Sequence, residues 1–296
     1  MRLDDLDPSE NVRDLGRGGG GGGGAGLGGL LGLLPLFLGR GKMGCGSIAL
    51  LLIIGAAYLF MSGGGGLLST GSAPSGTKAT GPATACDTAE ELFACRVLAS
   101  TEQTLGPLFQ KAGQRYPAPT LNFFQQSGRS GCGAAMSAMG PFYCPSDNGV
   151  YLDTDFFREL QTKFGAAGDF AQAYVIAHEV GHHIQTVDGT IQRVQQQQAR
   201  VSEAEGNALQ VRVELQADCY AGVWAGLNRN RLEPGDIEEG MTAAAAIGDD
   251  TLQKQAQGRV VPESFTHGTS AQRQQWLRRG LETGNPAACD TFSGAI

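Results

Sequence analysis

Apolar residues recur at helical spacing between residues 169 and 187, which predicts an amphipathic helix in the second half of the chain. Asp169 followed by Gln172 is typical of a helix start, and Gly189 is typical of the turn that follows a helix end. Side chains three and four positions apart share a helix face. The apolar face of this helix therefore consists of Phe170, Ala173, Tyr174, Ile176 and Ala177.

Similar patterns predict the elements that precede this helix. Asp87 and Glu90 have the spacing of a capping box, which predicts a helix from Asp87 to about Leu105. Short runs of β-forming residues predict extended segments near residues 120–124 and 150–152.

The pattern remains helical after the predicted helix of residues 169–187. Residues 191–200 carry Gln and Arg with little charge, which predicts a solvated helix face, with a partner-binding surface as the alternative. Further helices are expected around Glu214 and after Asp236 and Ser270. The predicted fold class is therefore α+β, mostly helical with a small sheet.

The first 84 residues lack this patterning. Residues 1–42 include an uninterrupted glycine run from Gly18 to Gly24, which cannot bury a core and predicts a disordered tail. Residues 63–84 are rich in Gly, Ser, Thr and Pro and predict a flexible linker. The folded domain is accordingly assigned to residues 85–296.

Residues 43–62 predict a single transmembrane helix. The uncharged stretch from Met43 to Met61 would span about 28 Å as a helix. Arg40 and Lys42 stand directly before it, so the positive-inside tendency predicts a cytoplasmic N-terminus and an extracytoplasmic domain. A cleaved signal peptide is the alternative, but the preceding segment is far longer than an ordinary lead.

Net charge narrows the set of partners. The chain carries a formal charge of −7 and has a pI near 5.1. Nucleic-acid binding requires a basic surface. The composition therefore argues against a nucleic-acid partner.

Cysteine usage favours an oxidising compartment, because six of the seven cysteines fall after residue 85. Cys132 and Cys144 flank a turn region and are the first choice for a local bridge. Cys86 and Cys95 would lie about 12 Å or more apart along the predicted helix, beyond the disulfide limit of about 7 Å, so they should not pair. Cys219 is expected to be a buried small hydrophobe.

The strongest chemical signal is the run His178-Glu179-Val180-Gly181-His182. Four residues of helix turn through about 400°, so His178 and His182 project from one face and both can bind one ion. Glu179 lies about 100° around the helix and is placed to deprotonate a metal-activated water without becoming a ligand. The run predicts a catalytic zinc site with Glu179 as general base.

A catalytic zinc site usually has three protein ligands. Glu214 follows in the next helical segment and shares a helix face with Asp218, four positions on. We expect Glu214 to complete the site and Asp218 to accept the spare ring N–H of a ligating histidine. Cys219, the other candidate ligand, lies about 140° from Glu214 around the helix and points elsewhere.

Two further histidines are candidates for other roles. His183 is rotated about 100° from His182, so we expect it to make hydrogen bonds or line the cleft. His267 lies in a late loop that suits hydrogen bonding to the oxyanion of a tetrahedral intermediate. The alternative is an ordinary surface histidine.

HExxH with a downstream Glu-x-x-x-Asp resembles the gluzincin branch of zinc metallopeptidases. Over roughly residues 85–292 the chain resembles more specifically the bacterial neutral zinc metallopeptidase family. The segments that carry this resemblance are 140–147, 150–153, 178–185, 247–250 and 265–270.

This resemblance implies a membrane-tethered, zincin-like domain with one Zn²⁺ per chain and a peptide or protein substrate. It further implies that Val150, Tyr151 and Leu152 are an edge strand that takes up an extended substrate by strand addition. An ordinary internal strand is the alternative.

The leading hypothesis is a membrane-anchored zinc metallopeptidase in which His178, His182 and Glu214 hold the metal ion. One alternative is an extracytoplasmic zinc-containing binding or scaffolding module without turnover. A structural zinc site normally has four protein ligands and needs no adjacent base, so Glu179 argues against it. Another alternative is a zinc hydrolase that acts on a non-protein amide, which the motif alone does not distinguish from a peptidase.

Overall fold

The computed structural model of this protein describes residues 1–17, 79–80 and 82–296. The helices in these ranges are α1 (Pro82–Ala85), α2 (Ala89–Lys111), α3 (Asp155–Thr162), α4 (Asp169–Val187), α5 (Thr190–Gln198), α6 (Glu203–Leu227), α7 (Asp236–Ala246), α8 (Asp249–Gln257) and α9 (Ser270–Thr283). The strands are β1 (Val12–Arg17), β2 (Ala79–Thr80), β3 (Thr120–Gln125), β4 (Ser127–Ser130), β5 (Gly133–Met136), β6 (Phe142–Cys144) and β7 (Gly149–Leu152). The prediction of a mostly helical α+β fold with a small sheet is confirmed.

The described strands form one sheet, in which β3 is central. β3 pairs in parallel with β1 on one side and with β7 on the other. β2 and β6 are antiparallel to β1 and β7 respectively, and so flank this parallel centre. The β4–β5 hairpin leaves the end of β3, and a disulfide from Cys132 to Cys144 ties its tip to β6.

The position of β7 corrects the prediction that Val150, Tyr151 and Leu152 are an edge strand. Val150 lies opposite Leu121 of β3 on one side and opposite Tyr143 of β6 on the other. Every residue of β7 is buried. An added peptide strand has no free edge here, so the alternative of an internal strand is the right one.

Residues 1–17 belong to the folded unit, so the prediction of a disordered tail over residues 1–42 is wrong for this part. Val12 lies opposite Leu121 in the parallel ladder, and Met1, Leu3 and Val12 are buried in the main core. Together with residues 77–296 this segment forms one compact unit. The domain therefore includes β1 and part of the predicted linker, and does not start at residue 85.

The N-terminal segment also changes how α4 begins. The helix starts at Asp169 after Gly168, without a side-chain cap. The Asp169 carboxylate instead accepts a hydrogen bond from the amine of Met1, at 2.7 Å. The predicted capping box is therefore wrong, because its acidic residue is used in a contact with distant sequence.

The strand pairing also constrains membrane topology. The predicted span, residues 43–62, lies outside the described residues, and no described helix is long and apolar enough to cross a membrane. Residues 1–17 share one sheet and one core with residues 82–296. A cytoplasmic N-terminus with an extracytoplasmic domain stays a prediction, and the shared sheet is an observation against it.

The disulfide between Cys86 and Cys95 contradicts a prediction, because the start of α2 was predicted one residue too early. Thr88, and not Asp87, caps α2, and its capping-box partner is Glu91. Cys86 therefore lies before the helix, where the chain is free to turn back, and its Cα is 6.4 Å from that of Cys95. These two cysteines are bonded, although we expected them not to pair.

The other two disulfides lie in the second half of the domain. Cys132 and Cys144 are bonded as predicted. Cys219 is fully buried, as expected of a small hydrophobe, but it is bonded to Cys289 near the C-terminus. The prediction missed this bond because the sequence separation is 70 residues.

Because β1 is part of the sheet and of the core, a substitution that leaves a small cavity at a buried position of β1 should destabilise the whole domain. Val12 is 2% exposed, so Val12→Ala should lower the free energy of unfolding by about 2 kcal/mol. Arg13→Ala, at the exposed neighbouring position, should change it by no more than about 0.5 kcal/mol. Denaturant unfolding of the full chain in detergent, followed by tryptophan fluorescence, measures both. Equal midpoints for the two variants would contradict the placement of β1.

Candidate metal centre

The site is built where α4 and α6 touch. Gly181, inside the HExxH run, faces Ala217 of α6, and a Cβ atom at Gly181 would lie 2.9 Å from the Ala217 Cα. Real Cβ atoms do not approach backbone atoms so closely, so a glycine is needed where the two helices meet. This contact brings the side chains of α6 against the histidine face of α4.

Glu214 of α6 faces both histidines. Its Oε2 atom lies 3.2 Å from His178 Nε2 and 3.5 Å from His182 Nε2. The ligand atoms of all three residues lie within 4.8 Å of one another. The structure thus brings together the three residues that the sequence predicted as metal ligands.

The spacing of these atoms fits a tetrahedral zinc ion. Zn–N and Zn–O bonds of about 2.0–2.2 Å at tetrahedral angles place neighbouring ligand atoms about 3.4 Å apart. The two distances from Glu214 match this value. Two imidazoles and one carboxylate are also a donor set that catalytic zinc sites use, so the residues present fit the ion.

Glu179 follows His178 on α4 and is 7% exposed. Among the described residues none donates a hydrogen bond to its carboxylate. Its negative charge contributes to raising the pKa of His182, which places it close to the ligand cluster. A buried carboxylate left without a partner in this position is available to a water molecule in the site.

Asp218 orients His178 as predicted. Its Oδ1 atom lies 2.8 Å from His178 Nδ1 and also accepts a 2.6 Å hydrogen bond from the Tyr174 hydroxyl. Because an ionised carboxylate only accepts, Nδ1 carries a proton toward Asp218, and Nε2 is the ring nitrogen that faces Glu214.

Arg273 of α9 is a site residue that the sequence analysis did not identify. Its guanidinium donates to both oxygens of Asp218, each at 2.9 Å, and to the Tyr174 hydroxyl at 3.2 Å. Arg273 is 2% exposed and Asp218 is fully buried. Arg273 is one of three arginines in this predicted helix, and nothing in the sequence pattern indicates that it is the buried one.

The charged groups of this network keep one another ionised although they are buried. For Asp218, burial acts to raise the pKa, but Arg273 and His178 hold it at about 2. For His178, burial acts to lower the pKa, but Asp218 and Glu214 raise it to about 9. Burial likewise acts against the charge of Glu214, yet the facing histidines hold its pKa well below the usual range. In the metal-free protein the cluster therefore holds protons that a metal ion would displace.

The loop before α9 places His267 next to Asp249. One oxygen of Asp249 accepts hydrogen bonds from the backbone N–H groups of Thr266, His267 and Gly268, and the other lies 3.2 Å from His267 Nδ1. Burial acts to lower the pKa of His267, but Asp249 and the charge of Glu214 raise it. The His267 side chain is 44% exposed, so its imidazole can donate a hydrogen bond toward solvent.

His183 makes hydrogen bonds, as expected, and does not join the ligands. Its Nε2 atom faces the carbonyl of Pro117, which only accepts, so Nε2 carries a proton, and Nδ1 lies 3.1 Å from the Tyr143 hydroxyl. Burial lowers the pKa of His183. His183 thereby connects β6 to α4.

Comparison with known proteins agrees with this arrangement. The model of the family described as "Putative neutral zinc metallopeptidase" matches residues 1–292. The chain belongs to this family. The match begins at residue 1, whereas the sequence analysis expected it to begin near residue 85, and so it includes β1.

Bacterial proteins of similar sequence align with most of this chain. The Escherichia coli K12 protein called "Uncharacterized protein YpfJ" is 48% identical over 253 residues, which cover 85% of this chain and 88% of that protein. The Mycobacterium bovis protein called "Uncharacterized protein Mb2605" is 45% identical over 220 residues, which cover 70% and 73% respectively. No solved structure matches this chain.

The buried pair of Arg273 and Asp218 generates a prediction for this protein. Arg273→Met removes the cation that bonds both oxygens of Asp218, leaves only His178 and Tyr174 beside this buried carboxylate, and should cost about 3–5 kcal/mol of unfolding free energy. Arg273→Lys keeps the charge but loses the two-pronged contact and should cost less. Arg278→Met, at an exposed position of the same helix, should stay within about 0.5 kcal/mol of wild type. A denaturant series on the four proteins decides, and similar values for the two methionine variants would refute the role of Arg273.

Proposed function

We propose that this protein is a zinc peptidase that holds one Zn²⁺ with His178, His182 and Glu214 and uses Glu179 as general base. One observation carries the proposal: two imidazole nitrogens and a carboxylate oxygen converge at tetrahedral spacing beside a buried carboxylate that no described residue hydrogen-bonds. The ligand cluster found in the described part of the chain has three members. A structural zinc site would normally have four, so the arrangement favours catalysis over a binding or scaffolding role.

The reaction that follows is hydrolysis of a peptide bond. A bound zinc ion would polarise the scissile carbonyl and lower the pKa of the attacking water. Glu179 would take the proton from that water and return it to the leaving amine. His267, held by Asp249, would donate a hydrogen bond to the developing oxyanion.

An extended substrate needs an open strand edge near the metal, and β6 offers one. The backbone N–H and C=O groups along β7 point alternately to its two neighbouring strands. Because Thr120 N–H of β3 donates to the carbonyl of Asn148, the backbone groups of Gly149 and Tyr151 point to β6. Their partners are Cys144 and Phe142, the two ends of β6. The backbone N–H and C=O of Tyr143, which lies between these two residues, therefore point outward at the open edge of the sheet.

No described residue hydrogen-bonds these two backbone groups of Tyr143. Its side chain contacts His183, the neighbour of the ligand His182. The free edge therefore lies against α4, the helix that carries His178 and His182. We assign the docking of the peptide backbone to β6 in place of Val150–Leu152.

We also place the whole described unit in an oxidising compartment. Its six cysteines outside the region of residues 18–78 are joined in three disulfides, and such bonds persist where thiols are not kept reduced. Residues 1–17 are then extracytoplasmic together with the metal centre.

Zinc content and peptide cleavage test the catalytic proposal together. Glu179→Gln should keep one zinc per chain while cleavage falls about a hundred- to ten-thousand-fold, because only the proton transfer is lost. Glu214→Ala should lose or weaken zinc binding. Glu203→Gln, at an exposed position of α6, is the matched control and should behave as wild type. The full chain in detergent is incubated with a mixed peptide library and read by mass spectrometry.

Three results would count against the peptidase. Unchanged turnover in Glu179→Gln would remove the general base. Cleavage that survives chelation would remove the metal. One zinc per wild-type chain without any cleavage would favour the binding module or a non-protein amide as substrate.

Cysteine labelling tests the compartment. Asp4 is 98% and Arg158 is 71% exposed in their side chains, so Asp4→Cys and Arg158→Cys, each with Cys45→Ser, should both react in intact cells with a membrane-impermeant maleimide. Labelling of Arg158→Cys alone would show that the two segments lie on opposite sides and would contradict the shared sheet. Labelling of both only after permeabilisation would contradict the oxidising compartment.

A further inference from the structure

His182 is not oriented by a carboxylate but by a chain of buried amides. Its Nδ1 atom lies 2.9 Å from Oε1 of Gln185, one turn further along α4. Gln185 Nε2 donates to Gln216 Oε1 at 3.0 Å, and Gln216 Nε2 donates to the carbonyl of Cys289 at 3.0 Å. Three hydrogen bonds therefore connect a predicted metal ligand to the C-terminal segment.

The direction of every bond in this chain is fixed from its far end. A backbone carbonyl only accepts, so the group of Gln216 that faces Cys289 must be its NH₂ and the group that faces Gln185 must be its oxygen. Gln185 must then present its NH₂ to Gln216. The carbonyl of Val213 imposes the same orientation, because it accepts from Gln185 Nε2 at 2.7 Å.

The same logic reaches the imidazole. With its NH₂ turned to Val213 and Gln216, Gln185 can offer only its oxygen to His182. His182 Nδ1 must therefore carry a proton, and Nε2 is the ring nitrogen that faces Glu214, 3.5 Å away, and that a metal ion would use. Reversal of the chain would set amide oxygens against two carbonyl oxygens in the protein interior, where an unsatisfied polar group costs about 1–3 kcal/mol.

The far end of the chain is held covalently. Cys289 is 1% exposed and is bonded to Cys219 of α6. Cys219 follows Asp218, which orients the other histidine. The carbonyl that sets the direction of the amides is thus fixed to the helix that supplies Glu214.

We propose that Gln185 and Gln216 are positioning residues for the metal centre, and that they hold His182 as its Nδ1–H tautomer by a relay that ends on the disulfide-anchored carbonyl of Cys289. The inference rests on the proposed function for its zinc ligand, although the relay itself consists of described contacts. It assigns a role at the metal site to the C-terminal segment, which holds none of the ligands.

The test is the zinc affinity of the full chain, measured by competition with a chelator. Gln185→Met removes the acceptor for His182 and should weaken zinc binding about 10- to 100-fold. Gln216→Met should weaken it less, because Val213 still orients Gln185. Gln195→Met, an exposed glutamine of α5, should leave the affinity unchanged. A folded Gln185→Met variant with wild-type affinity would overturn the proposal.

The position of the proton is a second readout that needs no variant. Long-range ¹H–¹⁵N correlations of the zinc-loaded protein should show the His182 proton on Nδ1, and a proton on Nε2 would overturn the relay. If the wild-type protein binds no zinc, the proposed function fails on its own. The relay can then still be tested by exchange of the side-chain amide protons of Gln185 and Gln216, which their hydrogen bonds to Val213, Gln216 and Cys289 should protect, and rapid exchange of both amides would overturn it.

Two double cysteine variants test whether the Cys219–Cys289 disulfide anchors the relay. Cys219→Ala with Cys289→Ala frees the terminal carbonyl and should weaken zinc binding about tenfold, at the lower end of the range for such supporting contacts. Cys86→Ala with Cys95→Ala removes a disulfide at the start of α2, whose residues make none of the hydrogen bonds of the relay, and should leave zinc affinity unchanged. Equal affinities for the two double variants would show that the anchor has no role.

Discussion

The backbone contact between α4 and α6 at Gly181 is the constraint on which the site depends. A side chain at this position would meet Ala217 at 2.9 Å, so any larger residue would push the two helices apart. Glu214 and Asp218 lie on either side of Ala217 along α6, and each reaches a histidine ring at a distance that a shift of one ångström would lose. The glycine of the HExxH run is therefore a packing requirement, in addition to the histidines and the glutamate that give the run its chemistry.

A second close contact brings in Arg273. A Cβ atom at Gly280 of α9 would lie 2.0 Å from the carbonyl of Cys219, and one at Gly222 of α6 would lie 2.1 Å from the carbonyl of Leu277. These two glycines allow α9 to lie directly against α6, so the guanidinium of Arg273 reaches Asp218. The charged network is thus a result of helix packing, and its members are fixed before any metal binds.

The charges at the site explain why the two histidines have different supports. Glu179, Glu214 and Asp218 are buried carboxylates and Arg273 is the buried cation beside them, so the ionised cluster carries a net charge of −2 with neutral imidazoles. A divalent cation balances this charge, and in its absence protons on the histidines reduce it, in agreement with the raised pKa of His178. A carboxylate behind His182 would add another buried negative charge, which is expensive in a low-dielectric interior. A neutral amide orients the ring without that cost.

What the sequence could predict follows from how local each feature is. The histidine face of α4 and the Glu214–Asp218 face of α6 depend on helical spacing alone, and both are as expected. Asp87 and Thr88 are both good caps, and a choice wrong by one residue was enough to invert the conclusion about Cys86. Arg273 depends on tertiary contacts that no spacing encodes.

The N-terminal strand is the clearest case of a non-local feature. β1 sits between β2 and β3, with Arg13 opposite Thr80 and Val12 opposite Leu121. Its neighbours come from much later in the chain, and few of its residues are apolar, so its strand character depends on partners that a local pattern cannot show. Arg13 and Asp14 pair with Thr80 and Ala79 on one side and with Asn122 and Phe123 on the other. A strand whose own pattern is weak is therefore held in place by partners from two later parts of the chain.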